Sequence, residues 1–214
     1  MFWKIKVFVL RFLEYLLRLP YRFFKCITWL LFIDRPHGKF VAARWMVGFV
    51  LKVIDLTPIP VFIETIFDLI KWKTRPLTDA EKKIVQSVFG NTIWYSLVGM
   101  DPGSWPVKKG KAMAYVSLHT INFQKNIPDT TLVHEMTHIW QYKKHGSLYM
   151  MEALYAQRWG GGYNYGGLAA LSQHQDKGMM AFNFEQQAEI VEDYFRSSAV
   201  RDAFESFITE IRNS

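Results

Sequence analysis

Apolar and polar positions along the chain follow three different rhythms. In the first stretch, MFWKIKVFVLRFLEYLLRLPYRFFKCITWLLFI, residues Lys4, Arg11, Arg18 and Lys25 recur at intervals of seven. On a helix this spacing makes a narrow polar stripe, with Glu14 between Arg11 and Arg18, along a surface otherwise covered by Phe, Leu, Ile and Val. Pro20 lacks an amide donor and predicts a break or kink. The second stretch, residues 40–70, reads as two apolar helical pieces broken at Thr57-Pro58-Ile59-Pro60. After Lys71-Trp72-Lys73-Thr74-Arg75-Pro76 the mixture of residues becomes that of an ordinary soluble domain. The expected division is an apolar helical segment, 1–75, followed by a domain over 76–214.

Within that domain the punctuation is local and specific. Thr78 with Glu81 three residues later forms a capping-box pattern that predicts a helix through Val88. Asp101-Pro102-Gly103-Ser104 and Lys108-Lys109-Gly110 predict turns. Ala112 to Phe123 alternates β-branched and aromatic residues and predicts one or two strands. Pro128-Asp129-Thr130 opens a helix with Asp129 or Thr130 as its N-cap, and Lys143-Lys144-His145-Gly146 closes it. Asn183 with Gln186 is a second capping-box pattern and places Glu185 in a first helical turn, where the helix dipole favours a carboxylate. The fold class expected is α+β, mostly helical with a small sheet.

Charge changes the picture of the first segment. Of the net +7, residues 1–52 carry ten Lys or Arg against Glu14 and Asp34, while the remainder carries sixteen basic against seventeen acidic residues. The uncharged runs of the first stretch fall short of the roughly 20 residues that a spanning helix needs. A cleavable signal peptide also fits poorly, because Arg11 interrupts the apolar run and no small-residue cleavage site follows. Two readings remain. One is an interfacial helix whose basic side chains reach anionic headgroups; the other is a helix packed on the rest of the protein with its charges at the rim. For residues 40–70, Arg44, Lys52, Asp55, Glu64 and Asp68 favour packing within protein over a re-entrant hairpin. Nucleic acid is disfavoured as a partner, since the basic residues are embedded among large apolar side chains.

The candidate chemistry lies in the domain. A lone cysteine, Cys26, excludes an intramolecular disulfide and any Cys-rich zinc cluster, so a metal must be held by histidine and carboxylate. His134-Glu135-Met136-Thr137-His138 puts two imidazoles one turn apart on one helix face with a carboxylate beside them. Two neutral imidazoles fix a zinc ion, and the carboxylate can take a proton from its water. A third ligand is offered by NFEQQAEIVEDYF, residues 183–195. Glu185 and Glu189 are one turn apart there, so one can bind metal while the other accepts a hydrogen bond from a liganding histidine. Glu192 continues that face, with pairing to Arg196 as the alternative use.

These motifs together resemble the gluzincin arrangement, in which HExxH is completed by a glutamate on a later helix and an acidic residue four positions beyond. More narrowly, LVHEMTHIWQY, GGGYNYGG and FNFEQQAEIVEDYF resemble metallopeptidase domains found with Rhs and Vgr proteins of bacterial type VI secretion, over about residues 78–196. The resemblance implies a zincin-like fold, Zn²⁺ held by His134, His138 and Glu185, Glu135 as general base, and Glu189 behind a liganding histidine. Many gluzincins carry aspartate where this chain has Glu189. Tyr163, Tyr165 and His174 are the candidates for stabilising the oxyanion of the tetrahedral intermediate. A peptide or protein would be the substrate, with an anionic membrane surface and an immunity or secretion-apparatus protein as further partners. A bacterial protein exported without a cleavable signal, or membrane-associated, is the expected setting. The competing class is a non-catalytic membrane-interaction or adaptor protein with a structural zinc site.

Overall fold

The computed structural model describes residues 2–34, 36–109 and 113–214. Three helices come first: α1 (Phe2–Leu30), α2 (Val41–Asp55) and α3 (Ile59–Ile70). Helix α1 runs unbroken through Pro20, against the expected break. The lost hydrogen bond and ring clash of an interior proline cost about 3 kcal/mol. That cost is offset on both sides of Pro20, by Arg11 and Tyr15 before it and Arg22 and Trp29 after it, all buried against the rest of the protein. The break between α2 and α3 falls at the expected prolines. Gly48 lets α1 approach α2 closely, since a Cβ there would collide with the Trp29 ring.

These three helices are inverted relative to a helix of a water-soluble protein. The buried residues of α1 include Arg11, Glu14 and Arg22; those of α2 are Arg44, Gly48, Lys52 and Asp55; those of α3 are Pro60, Val61, Glu64 and Asp68. The polar stripe is thus the inward face. Both sequence readings of α1 are corrected in this respect: Arg11 and Arg22 neither reach outward to headgroups nor lie at a rim. The charges are inward because they satisfy one another. The Arg11 guanidinium donates to the Leu97 carbonyl at 2.8 and 3.0 Å and to Asp68 Oδ2 at 2.6 Å. His119 holds Glu64 Oε2 and Glu14 Oε2 on its two ring nitrogens, each at 2.9 Å. Burial alone would lower the His119 pKa, but the two carboxylates raise it above the ordinary value, as in an imidazolium between anions.

The remaining elements build one core. Strands β1 (Arg75–Pro76), β2 (Gly99–Asp101), β3 (Ala114–Ser117) and β4 (Thr120–Phe123) form a mixed sheet in the order β1-β2-β4-β3, with β2 and β4 parallel and the other pairs antiparallel. The boundary expected after residue 75 falls inside β1. The strand segment from Ala112 to Phe123 is two strands, Ala112 itself lying outside the described residues. Of the expected turn Lys108-Lys109-Gly110, the first two residues end a short helix, α5 (Trp105–Lys109), and Gly110 is outside the described residues.

Helix α4 (Asp79–Phe89) has the full Thr78/Glu81 capping box. Helix α6 (Asp129–His145) begins at Pro128, with no side-chain cap from Asp129 or Thr130. It is the centre of the molecule: every residue from Leu132 to Tyr142 is buried. Met136, Ile139 and Trp140 share one apolar cluster with Phe89, Met100, Ile121, Phe123, Ile190, Val191 and Phe207. Helices α7 (Leu148–Trp159), α8 (Gly167–Gln173), α9 (Phe184–Arg196) and α10 (Glu205–Arg212) complete the chain. A small mixed sheet in a mostly helical body is the α+β class expected.

Candidate metal centre

Helices α6 and α9 carry the site and pack on each other along the core. Their registers are set locally. The Asn183 side chain accepts from the Gln186 amide at 2.8 Å, and the Gln186 side chain accepts from the Asn183 amide at 3.0 Å, so α9 starts with Glu185 in its first turn. On α6 the i,i+4 spacing sets His134 and His138 on one face, their rings edge-to-face with centroids 5.3 Å apart.

The structure brings His134, His138 and Glu185 together, with one candidate ligand atom from each lying within 4.8 Å of the others. His134 Nε2 is 3.6 Å from Glu185 Oε2, and His138 Nε2 is 3.6 Å from Glu185 Oε1. Both imidazoles are oriented from behind. His138 Nδ1 meets the Gln141 side-chain carbonyl at 2.7 Å, and His134 Nδ1 meets Glu192 Oε2 at 3.1 Å. Those contacts place Nδ1–H toward the acceptors and leave Nε2 of each ring facing the centre.

The donor set fits a zinc ion. Glu185 is 1% exposed and its Oε2 is buried without a hydrogen-bond partner, while Oε1 accepts from the Gln157 amide at 3.0 Å. Glu135 Oε2 is likewise buried and unpartnered. A buried carboxylate oxygen left bare costs free energy unless a cation or donor completes it. Two imidazole nitrogens and one carboxylate oxygen are the protein ligands of a catalytic zinc site that keeps its fourth position open.

Electrostatics follow from this crowding. Burial alone would lift the Glu185 pKa, but the His134 and His138 imidazoles, each 3.6 Å away, hold it down at about 2. Burial alone would lower that of His134, but Glu185 and Glu192 raise it to about 10. The metal-free pair is therefore an imidazolium beside a carboxylate at neutral pH. Zinc needs the neutral ring, so its binding is expected to expel the His134 proton. Calorimetry in buffers of different ionisation enthalpy checks this: between pH 6 and 9 about one proton should leave per zinc bound, and affinity should fall as pH falls. Burial raises the pKa of Glu135, opposed by His138 and His134, which strengthens it as a base.

The predicted residues divide on inspection. Glu189 is not the carboxylate that orients His134: it stands 3.9 Å from Nδ1, and Glu192, three residues further along the same helix face, makes the 3.1 Å contact. Glu192 also pairs with Arg196 at 2.5 Å, so one carboxylate serves both partners. Accordingly, Glu192→Ala should weaken zinc affinity about 10- to 100-fold, and Glu189→Ala by less, in competition titrations with a chromophoric chelator.

Tyr163 lines the cleft, its ring 5.9 Å from that of His134. Tyr165 does not point there; its hydroxyl donates to Asp193 Oδ2 at 2.7 Å and its ring packs on Phe182. His174 also packs edge-on against Phe182, away from the centre. Gln141, Gln157 and Glu192 each contact one of the three candidate ligands, and sequence reasoning did not mark them for that position. For Gln141 and Glu192 a signal existed, since each lies three or seven helical residues from a named ligand.

The centre opens into a cleft of about 480 Å³ walled by all of β3, which is an edge strand, together with Tyr149, Leu154 and Tyr163. Tyr149 fixes the end of that strand, its hydroxyl donating to the Val116 carbonyl at 2.9 Å and accepting from the Leu118 amide at 3.3 Å.

The chain is 29% identical over 133 residues, 56% of its length, to the type VI secretion system spike protein VgrG2b of Pseudomonas aeruginosa. It covers 13% of that protein's length. No family model and no solved structure matches the chain.

Proposed function

We propose that this chain is a zinc-dependent metallopeptidase of the gluzincin type with a zincin-like fold, acting as a toxin or effector in bacterial type VI secretion. The observation that carries the reading is the convergence of His134, His138 and the Glu185 carboxylate, one candidate ligand atom from each within 4.8 Å of the others, with Oε2 of Glu185 bare and the buried Glu135 carboxylate unpartnered at Oε2. The secretion setting is supported by the similarity to a spike protein.

When bound, zinc supplies the positive charge that polarises a scissile carbonyl and brings the pKa of a water near neutrality. The chain's own residues do the rest. His134, His138 and Glu185 hold the ion; Gln141 and Glu192 keep the two imidazoles turned with Nε2 inward. Glu135 takes the proton of the attacking water and returns it to the leaving amine. The edge strand β3, whose Val116 carbonyl is taken by Tyr149, aligns an extended peptide across the cleft by main-chain hydrogen bonds from its other positions. Tyr163, in the cleft wall beside His134, donates its hydroxyl proton in a hydrogen bond to the oxyanion in this reading. Burial and the neighbouring Glu185 and Glu135 carboxylates push its pKa up to about 12, so the phenol keeps its proton.

A purely structural zinc in an adaptor protein accounts less well for the same residues. Such a site closes with four protein ligands and gives no role to an unpartnered buried carboxylate beside the metal. The test is hydrolysis of a peptide library by the full chain, with Glu135→Gln as the paired control.

A further inference from the structure

The three N-terminal helices present to the outside a surface that water-soluble proteins do not make. Among the described residues, Lys6 is the one charged side chain at an exposed position of α1, α2 or α3. Apart from Pro20, Tyr21, Ala42 and Ala43, the other exposed positions are large and apolar on all three helices: Leu17 is 69% exposed, Phe24 59%, Met46 61%, Val50 55%, Ile66 55% and Ile70 70%. Leu31, Phe32 and Ile33 extend the same character beyond α1. Every other charge on these helices is buried or half-buried. A monomer rarely exposes a contiguous apolar patch beyond a few hundred Å², and a face spread over three helices exceeds that.

Three features identify what covers this face. First, its composition is that of a lipid contact rather than of a protein interface, which carries a polar rim and about one hydrogen bond per 100–200 Å². Second, the helices are apolar enough to enter a membrane, and the bend between α2 and α3 suits a return to the same side. No single helix is long and apolar enough to cross, but α2 and α3 together are, bent by 79° as in a re-entrant hairpin. Third, the edge of the layer is basic and aromatic. Trp72 is 86% exposed between Lys71 and Lys73, and Lys6, Lys39 and Lys73 are exposed, matching the belt that tryptophan and lysine form at an anionic headgroup layer.

We propose that the outward face of α1, α2 and α3 is embedded in the acyl region of one leaflet of an anionic lipid bilayer, docking the metal-site domain against the membrane surface. The inward charges then act as the layer's polar underside. Arg11 ties α1 to α3 through Glu64 and Asp68, and the layer is bound to the domain by the His119 ion pairs with Glu14 and Glu64 and by the Arg11 hydrogen bonds to the Leu97 carbonyl, where a soluble protein would use a second apolar core. The apolar layer also adjoins the cleft. A cavity of about 270 Å³ between α2, α3 and the β3–β4 turn shares Ser117 and Met150 with the cleft wall.

The test is flotation of the full chain with phosphatidylcholine vesicles, alone or containing phosphatidylglycerol, at low and high salt. Zinc content is read on the same samples, so that failure of the metal site is seen separately. The expected result is binding to both vesicle types, tighter with phosphatidylglycerol at low salt and persisting with phosphatidylcholine at high salt. Phe62→Glu with Ile66→Glu, two exposed positions, should reduce partitioning about tenfold or more with the melting temperature held. Should that pair fail to fold, Leu17→Gln with Leu69→Gln tests the same face with a milder change. Three results would overturn the proposal: wild type that stays monomeric and ignores both vesicle types, variants that bind as well as wild type, or a salt-stable dimer that the substitutions dissociate without vesicle binding. The last would assign the face to a second copy of the chain.

Discussion

Glu135→Gln is expected to keep its zinc and lose hydrolysis by about 10²- to 10⁴-fold in kcat/KM, the usual worth of a positioned general acid–base group. The substitution is nearly isosteric, and Glu135 is not among the three side chains whose ligand atoms converge. The metal geometry should therefore survive. What disappears is proton capacity: an amide cannot take a proton from the attacking water, whereas this carboxylate is buried, unpartnered at Oε2 and raised in pKa. Turnover and metal content measured together on the same preparation check the claim. Equal loss of zinc would make Glu135 a structural part of the centre, and unchanged turnover would remove it from the chemistry.

Arg11→Met is expected to be the most damaging single change outside the metal centre. Arg11 is 1% exposed and lies 2.6 Å from Asp68 Oδ2 and 3.5 Å from Glu64 Oε1, both carboxylates being buried. Removing one partner of a buried ion pair leaves the other charges uncompensated, which costs about 3–5 kcal/mol. Two bonds to the Leu97 carbonyl and a 3.3 Å contact with Thr120 Oγ1 are lost as well. For a chain of this size the melting temperature should fall on the order of 10 °C. Lys6→Met, an exposed change on the same helix, should move stability by no more than about 0.5 kcal/mol. Thermal melts of both variants under identical conditions decide it. Equal melting temperatures would mean that α1 is not held to the domain by this network.

What could be read in the sequence was what is encoded locally. The i,i+4 histidines and the Asn183/Gln186 capping box each lie within one or two turns of helix, so the positions of His134, His138 and Glu185 on their helices followed from spacing alone. The contacts between helices did not. Whether Glu189 or Glu192 faces His134 depends on how α9 crosses α6, and a difference of three residues along one face is decided by that angle. Gln157, which holds Glu185, comes from α7 and has no sequence spacing to announce it.

The heptad-spaced charges of α1 revealed a stripe but not the direction it faces. Periodicity reports that two faces differ, and the usual rule sends the polar one outward. Here His119, Glu64 and Asp68 supply inward partners that are distant in sequence, and the rule is reversed. Strands β1 and β2, of two and three residues, are too short to show alternation and exist through pairing alone. Pro20 shows the same override, its local cost outweighed by contacts on either side.

The measurement that bears most directly on the whole account is the metal content of purified wild type beside Glu185→Ala. One zinc per wild-type chain is expected, with loss of that zinc in Glu185→Ala and the fold retained. No zinc in wild type after reconstitution, or zinc held equally by both proteins, would contradict it.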